Sequence, residues 1–288
     1  NDRFIITDNL TLNYDANDPL SATAIKWQGG VTDNDWEFGP DVTLENVVGA
    51  NNTREGISQA FRFTGGPGSQ NRGLNDLTGD PSDDSATWEF WLRPSDIGDG
   101  NQVIFETGGG GDGMAIWYQK GTDDDGIGNL KFTIDDGGVQ RTLTASIDRT
   151  DFHHIVAVYS KNDDGAIDRM ELYVDGNSAA LDETTPDLDD WDGGDFGTLG
   201  NSGNLAQGAS GGRFQGDISI FRFYEQPLDQ VDIATNFAAV ASTPVITEIN
   251  GNAANVGNGL ALALGSVTVN ADGSFSYDRS EERRVGTE

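Results

Sequence analysis

Two short loops of this sequence combine acidic side chains with glycine in a pattern that suits a calcium ion. The first loop, "DDDGIGN", covers residues 123–129, and the second, "NDDGAID", covers residues 162–168. Calcium takes about six to eight oxygen ligands, often from Asp side chains and backbone carbonyls of a glycine-containing loop. The predicted ligands are Asp123, Asp125 and Asn129 in the first loop, and Asn162, Asp164 and Asp168 in the second. The alternative is an acidic hairpin tip, since turn chemistry alone favours Asp and Gly.

A further acidic residue, Asp217, stands at the start of the apolar run "DISIFRFY", residues 217–224. Asp is depleted in strands, so its presence there needs a reason. It either caps a turn or reaches a cation shared with the N-terminal strand near Asp15. The second interpretation adds Asp217 to the predicted metal ligands.

Two tryptophans lie in segments that are otherwise polar. Trp36 follows Asp35 in "DNDWEFG", and Trp191 follows Asp190 in "LDDWDGGDFG". One interpretation is that each ring plugs one end of the hydrophobic core, because aromatic side chains dominate core burial. The other is that each ring stacks on a sugar, with Asp35 and Asp190 accepting hydrogen bonds from the hydroxyl groups. The sequence leaves both interpretations open.

Both histidines of the chain are adjacent, in "DFHHIVAVYS", residues 151–160. Neighbouring residues of a strand point to opposite faces, so His153 and His154 cannot form a joint ligand pair. The segment "GAIDRMELYVDGNS" then alternates like a half-buried strand and reaches Asp175-Gly176, a strong signal for a hairpin turn. This region is therefore predicted to be part of the structural frame rather than a reactive centre.

Charge excludes several classes of partner. The chain of 288 residues has 48 acidic and 17 basic residues, a net charge of −31, so its surface repels nucleic acids and anionic membranes. It has no cysteine, which excludes disulfides and thiolate metal sites, and no run approaches the roughly 18 apolar residues of a membrane span. The N-terminus shows neither an initiator Met nor a signal-peptide pattern, which we interpret as a processed or excised piece of a longer protein.

The elements that must position these residues are mostly strands. Runs such as "SATWEFWLRP", "GMAIWYQK" and "HHIVAVYS" are separated by Gly, Asp and Asn clusters, which predicts antiparallel hairpins in a sandwich. One helix is predicted over residues 226–240, where Pro227 suits the first turn. A change in composition near Ser242 divides the chain into a sandwich over residues 1–241, a short β repeat over 242–280 and a non-domain tail over 281–288.

The order of segments resembles laminin-G-like jelly-roll domains, which share the concanavalin A-like sandwich. The resemblance lies in "ATWEFWLRP", in "FHHIVAVYS" with "RMELYVDGN", and in "GGRFQGDISIFRFYEQPLDQVDIATNF", and it covers roughly residues 4–240. It implies an all-β, antiparallel two-sheet jelly-roll sandwich with a short C-terminal helix. Glucanases of the laminarinase type share this sandwich and carry a Glu-x-Asp-x-x-Glu strand, which is missing here.

Residues 243–278 resemble the opening of the cadherin-like repeats of very large bacterial surface proteins. The resemblance rests on the small-residue run "LALALGSVTVN" and the hairpin "ADGSFSYD". It implies a truncated repeat and a secreted, multidomain parent protein.

We therefore expect an extracellular or cell-surface recognition module that depends on calcium and binds a glycan or a surface protein. It is expected not to be an enzyme, to bind no nucleic acid and to insert into no membrane. Two alternatives remain open: a calcium-rigidified spacer of an adhesin, and a polysaccharide-degrading enzyme. With 48 acids, carboxylate pairs occur by chance, so their presence does not discriminate between these functions.

Overall fold

The computed structural model describes residues 5–24, 26–28, 35–49, 52–66, 69–70, 85–95, 100–121, 126–162, 167–184, 188, 191, 197–201, 203–241, 248–262, 265–270 and 275–279. The chain forms two compact units, Asn1–Ala241 and Ser242–Glu288. None of the helices in these described ranges has the length and hydropathy that crossing a bilayer requires.

Strands dominate the first unit. In chain order they are β1 (Leu10–Asp15), β2 (Ala22–Thr23), β3 (Lys26–Trp27), β4 (Trp36–Glu37), β5 (Val42–Asn46), β6 (Gln59–Thr64), β7 (Ser69–Gln70), β8 (Ala86–Pro94), β9 (Asn101–Gly108), β10 (Asp112–Lys120), β11 (Ile127–Asp136), β12 (Val139–Asp148), β13 (His153–Ser160), β14 (Arg169–Val174), β15 (Asn177–Asp182), β16 (Thr198–Leu199), β17 (Gly212–Arg213) and β18 (Gln215–Tyr224). A helix, α1 (Gln230–Ala241), follows the last of them.

The strands form two large sheets. The first is eight-stranded in the described residues, with the order β15-β14-β13-β8-β18-β6-β5 and β1 paired to β18. The second is seven-stranded, with the order β12-β11-β10-β9-β16-β7, and the short β17 pairs with β9 in parallel. The strands β2, β3 and β4 form a separate small sheet. The prediction of an all-β, antiparallel sandwich with a short helix near the C-terminus is confirmed.

Alternation along β8 shows how the sequence builds the layers. Trp88, Phe90 and Leu92 enter the main core, which they share with side chains of the second sheet such as Phe105 and Phe132. Successive side chains of a strand point to opposite faces. The intervening residues of β8 therefore face the other side of the first sheet, which we call the outer face.

The helix α1 covers part of this outer face. Phe237 and Val240 of the helix pack with Trp91 of β8, and Ile233 packs with Tyr224 of β18. The helix begins later than its sequence pattern indicates, at Gln230 instead of residue 226. The carboxylate of Asp229 accepts hydrogen bonds from the backbone N–H groups of the first turn and caps the helix there.

A buried polar network lies between α1 and the sheet. Glu89 accepts a hydrogen bond from Nη1 of Arg222 at 2.5 Å and contacts Nε2 of His154 at 3.1 Å. Its second oxygen accepts from the Tyr224 hydroxyl at 3.0 Å and from the Asn236 amide at 2.8 Å. Because Asn236 belongs to α1 and the other four residues belong to β8, β13 and β18, the network ties the helix to the sheet.

The hairpin between β14 and β15 has the turn that its sequence predicts. Asp175 and Gly176 both adopt positive φ, at 50° and 75°, as the two central residues of a type I′ turn do. The carboxylate of Asp175 also accepts a hydrogen bond from the backbone N–H of His154 and contacts Nδ1 of His153. The turn is thus held against the neighbouring strand.

The second unit contains a small antiparallel sheet. Its strands are β19 (Gly259–Leu262), β20 (Gly265–Val269) and β21 (Phe275–Arg279), in the order β19-β20-β21, and a 3-10 turn spans Ala253–Asn255. The side chains of Phe275 and Tyr277 are exposed.

Candidate functional site

A cleft opens on the first sheet where β6, β8 and β18 lie side by side. Its volume is about 560 Å³, a size that accommodates a small ligand. The residues that line it come from these strands and from the turn after β12: Arg62, Phe63, Thr64, Arg93, Pro94, Ser95, Arg149, Gln215, Gly216 and Asp217.

Strand register places three charged side chains of this cleft in one row. Asp217 of β18 lies opposite Arg62 of β6 on one side and opposite Arg93 of β8 on the other. Residues directly opposite each other on neighbouring strands share a face of the sheet. The charged order across the three strands is therefore cation, anion, cation.

Hydrogen bonds of 2.7–3.3 Å join the three side chains of this row. Nε of Arg62 donates to Oδ1 of Asp217 at 2.8 Å, and Nη2 of Arg62 reaches Oδ2 at 3.3 Å. Arg93 donates to the same Oδ2 from Nη2 at 2.7 Å and from Nε at 3.2 Å. One buried carboxylate thus holds two guanidinium groups in place.

A second contact fixes Arg93, and a third arginine completes the cleft. The guanidinium of Arg93 lies 4.7 Å from the ring centroid of Phe152, within the range of a cation–π contact. Arg149 donates from Nε to the carbonyl oxygen of Gly126 at 3.3 Å. The side chain of Arg93 is 13% exposed and that of Arg62 is 45% exposed, so Arg62 is the more accessible of this pair.

Arginine is the most frequent charged residue in the described lining of the cleft. Among the described residues, three guanidinium groups and one carboxylate line it, in a chain of net charge −31. The hydrogen bond to Asp217 is the main cause of the raised pKa of Arg62, and Glu45 adds a smaller effect. The described part of the lining contains no His, Cys, Lys or Glu. Its guanidinium, hydroxyl and amide groups are suited to holding a polar ligand.

The prediction that Asp217 binds a cation is wrong in this structure. Both of its oxygens are engaged by guanidinium groups. A metal ion at this carboxylate would have to displace two cations that already neutralise it. The sequence indicated correctly that an Asp within this strand has a specific role, but the role is to pair with arginines.

The predicted calcium loops lie largely outside the described residues. Asp123, Asp125 and Asp164 are not described, so their role as ligands stays a prediction. Asn129 lies in β11, where its side-chain oxygen is 3.5 Å from the Ser146 hydroxyl. Among the residues that the structure does describe, no cluster of three His, Asp or Glu side chains is arranged to hold a metal ion.

Asp168 has a structural role in the second of these loops. Its carboxylate accepts hydrogen bonds from the Tyr159 hydroxyl at 3.1 Å, from the backbone N–H of Leu188 at 3.1 Å and from the backbone N–H of Asn162 at 2.8 Å. The residue is 2% exposed. It therefore joins the start and end of its own loop to the segment around Leu188.

Trp36 and Trp191 are buried core residues. Trp36 belongs to β4, with its ring 6.1 Å from that of Tyr14, and Trp191 meets Trp88 edge-to-face at 4.9 Å. They are 1% and 0% exposed, so neither ring can stack on a sugar, and the prediction of a stacking surface is wrong for both. Asp35 forms an ion pair with Lys26 at 2.6 Å. Asp190 lies outside the described residues.

His153 and His154 occupy opposite faces of β13, as predicted, but both are buried. The ring of His154 lies 5.0 Å from that of Trp91 in the layer beneath α1. Burial alone would lower the pKa of His153, but Asp175 at 2.9 Å and Asp148 at 3.6 Å outweigh it and raise that pKa. The two histidines are thus held by different partners within the frame.

Two glycine-rich runs match short functional patterns without the structural setting that those patterns need. "GASGG" fits Gly-x-Ser-x-Gly, but Ser210 precedes the short strand β17 instead of a helix. "GGGGDG" fits Gly-x-Gly-x-x-Gly, but it joins the antiparallel strands β9 and β10 and no helix follows. Neither run has the strand–turn–helix context of a nucleophile elbow or a dinucleotide site.

The sequence interpretation missed the arginines of the cleft. Arg62 and Arg93 each interrupt an apolar strand, as Asp217 does, and this shared feature was the available signal. A buried charge needs a partner of opposite sign. Two strand arginines and one strand aspartate could therefore have been paired before their register was known.

Comparison with known proteins identifies the family and the fold. The sequence profile of the concanavalin A-like lectin/glucanases superfamily, of laminin-G type, matches residues 67–234. No curated protein sequence matches the chain significantly.

Three solved structures show the same fold at low sequence identity. The binding domain of Paraclostridial Mosquitocidal Protein 1 is 14% identical, with a TM-score of 0.59 over 85% of this chain and 55% of that one. The Trypanosoma rangeli sialidase in complex with 2,3-difluorosialic acid is 14% identical, with a TM-score of 0.52 over 81% and 33%. The receptor-binding domain of botulinum neurotoxin type G is 10% identical, with a TM-score of 0.52 over 80% and 51%. This chain thus spans between 33% and 55% of the length of each of these three solved chains.

Proposed function

This chain belongs to the concanavalin A-like lectin/glucanases superfamily, and on that premise we propose that it is a glycan-recognition module that binds its ligand in the arginine-lined cleft. The observation that carries the proposal is the cleft itself. Its volume lies within the range of small-molecule sites, and its polar groups converge from three neighbouring strands.

The chemistry of the cleft favours binding over catalysis. Glycoside hydrolysis usually needs one carboxylic acid and one carboxylate on either side of the scissile bond. Among the described residues that line the cleft there is a single carboxylate, that of Asp217, and two arginines already hold it. Guanidinium, hydroxyl and amide groups remain to hold the hydroxyl groups of a sugar. The binding domain of the mosquitocidal protein and the receptor-binding domain of the neurotoxin show that this fold serves recognition in other proteins.

A glycan array of neutral and acidic oligosaccharides tests this function. We expect the full chain to bind at least one class of glycan, and Thr64→Trp, which places a bulky ring in the cleft, to weaken that binding roughly tenfold or more, the equivalent of about 1.4 kcal/mol. Thr144→Trp is the matched control, because Thr144 is also an exposed strand residue but lies on β12 in the other sheet. Binding to no glycan, or equal loss in both variants, would contradict the proposal and favour the spacer function.

The proposal includes calcium as a stabilising ion in the loop of residues 123–129. Clustered carboxylates repel each other when no cation is present, and an ion that binds only the folded state stabilises it by about 2.7 kcal/mol at one hundred times its dissociation constant. We expect EDTA to lower the thermal unfolding midpoint and added Ca²⁺ to restore it. Asp125→Asn should reduce this response, whereas Asp8→Asn, at an exposed position near the N-terminus, should not. An unchanged midpoint at low salt would overturn the calcium proposal.

The setting that we propose is extracellular, in a large bacterial surface or secreted protein. The support is the resemblance of residues 243–278 to a cadherin-like repeat. The proposed partners are glycans or glycosylated surface proteins.

A further inference from the structure

We infer that Asn250 is a site of spontaneous covalent modification, at which the side-chain amide is lost and aspartate or isoaspartate is formed. The reaction needs water and no enzyme, and the inference does not depend on the glycan-binding function. The sequence contains two Asn-Gly dipeptides, Asn250-Gly251 and Asn258-Gly259, and both lie in the second unit. The structure distinguishes between them, since only the first has the freedom that the reaction requires.

The chemistry is the attack of a backbone nitrogen on the neighbouring side chain. The nitrogen of Gly251 gives its proton to water or hydroxide and forms a bond to Cγ of Asn250. The Cγ–Nδ2 bond breaks and ammonia leaves, which closes a succinimide ring. Water then opens the ring at either carbonyl carbon, so the product is aspartate or isoaspartate. Glycine favours the attack because it has no Cβ to hinder the approach of its nitrogen.

Asn250 and Gly251 form an exposed turn. Their φ angles of 55° and 71° are those of the two central residues of a type I′ turn. Ile249 and Asn252 close the turn with two backbone hydrogen bonds of 3.2 Å. In the described part of the chain, no hydrogen bond uses the Gly251 N–H or the Asn250 side chain. A Cβ on Gly251 would meet no described atom within 4 Å, so both reactive groups have room to move.

The other asparagines of this segment have side chains that are held by hydrogen bonds. Oδ1 of Asn252 accepts from the backbone N–H of Ala254 at 2.9 Å. Nδ2 of Asn255 donates to the carbonyl oxygen of Ile249 at 3.0 Å, and Nδ2 of Asn258 donates to that of Ala254 at 2.7 Å. Ring closure requires the side chain to rotate toward the following nitrogen, and a hydrogen bond that fixes the side chain opposes this rotation.

Gly259 adds a second restraint at Asn258. It is the first residue of β19 and lies opposite Thr268 of β20. Ring closure would pull the backbone nitrogen of Gly259 out of this ladder. Backbone within a hydrogen-bonded sheet opens less often than an exposed turn does. The same dipeptide is therefore restrained by its side chain and its backbone at Asn258, but only by its own turn at Asn250.

The modification changes both the charge and the backbone of the turn. Either product adds one carboxylate, which is negatively charged at neutral pH. Aspartate keeps the turn, because Asp-Gly is compatible with type I′ geometry. Isoaspartate routes the main chain through the former side chain and lengthens it by one carbon atom. That product should break the pairing of Ile249 with Asn252 and loosen the segment that follows.

The experiment follows both dipeptides in the full chain during incubation at mildly alkaline pH. Peptide mapping by mass spectrometry measures conversion at each site, and labelling with an isoaspartyl methyltransferase, used as a reagent, detects the isoaspartate product. We expect Asn250 to react on the order of tenfold faster than Asn258, because the ladder at Gly259 must open first. Conversion should accelerate as the pH rises, since the deprotonated nitrogen is the nucleophile.

The same chain in urea is the matched control. Once the structure is lost, both Asn-Gly dipeptides should react at similar rates. Thr268→Pro, which disrupts the ladder opposite Gly259, should raise the rate at Asn258 toward that at Asn250 in the folded chain. Equal rates at the two sites in the unchanged folded protein would overturn the inference. So would an Asn250 that stays intact in the folded chain and reacts only in urea.

Discussion

Replacing Glu89 by glutamine is expected to lower the free energy of unfolding by about 3–5 kcal/mol, the cost typical of removing one partner from a buried ion pair. Glu89 is fully buried, and it is the acceptor for Arg222, which is itself 1% exposed. Without the carboxylate, the guanidinium group stays buried without its counter-ion. Urea denaturation at neutral pH measures the change.

Glu183→Gln is the control for this experiment. Its side chain is 58% exposed and forms an ion pair with Arg169 at 3.3 Å. Exposed pairs of this kind contribute little, so we expect a change within about 0.5 kcal/mol. Equal effects of the two substitutions would mean that the network beneath α1 does not stabilise the fold.

The lowered pKa of Glu89 predicts part of the loss of stability of the protein in acid. Burial alone would raise the pKa of Glu89, but the charge of Arg222 and the hydrogen bonds from His154 and Tyr224 outweigh it and lower that pKa to about 2. A carboxyl group whose pKa is lower in the folded state stabilises the fold above its unfolded pKa, here 4.5, and this contribution is lost as the pH falls toward 2. The free energy of unfolding, measured from pH 5 to pH 2, should therefore fall less steeply in Glu89→Gln. The reason is that this variant takes up on the order of one proton less on unfolding than the unchanged protein does.

Replacing Trp191 by alanine should lower the free energy of unfolding by about 3–5 kcal/mol, the usual cost of truncating a buried aromatic side chain. Trp191 is fully buried between Trp88 and Phe223, with ring centroids 4.9 and 6.0 Å away. Trp36→Ala should have an effect of the same size. Thermal and urea unfolding measure both changes.

Leu20→Ala provides a matched truncation at the surface, where Leu20 is 84% exposed, and it should change stability by less than about 0.5 kcal/mol. Glycan binding, measured at a temperature where each variant stays folded, should persist in Trp191→Ala because the ring lies away from the cleft lining. A stable Trp191→Ala variant that loses glycan binding would contradict the placement of the binding site in the cleft.

The alternation of apolar and polar residues along the chain was sufficient to predict the sandwich. Alternation with period two identified β8, β13, β14 and β18, because a strand at the surface of a core must place apolar residues on the same side. The Asp175-Gly176 turn was also predictable, since its backbone conformation depends on these two residues themselves. The start of α1 was less certain, because Pro227 and Asp229 are both compatible with a first turn.

Only the tertiary structure decided the site. Arg62 and Asp217 are 155 residues apart in sequence, and Arg93 and Asp217 are 124 apart, so their meeting depends on strand order and register. The burial of Trp36 and Trp191 has the same origin: polar neighbours in sequence suggested a surface, but the rings turn inward to partners from distant strands. Sequence determined the periodicity of the strands, which is a local property of the chain. Which charges pair and which rings are buried are long-range properties, because they depend on side chains that come together only when the sheets have formed.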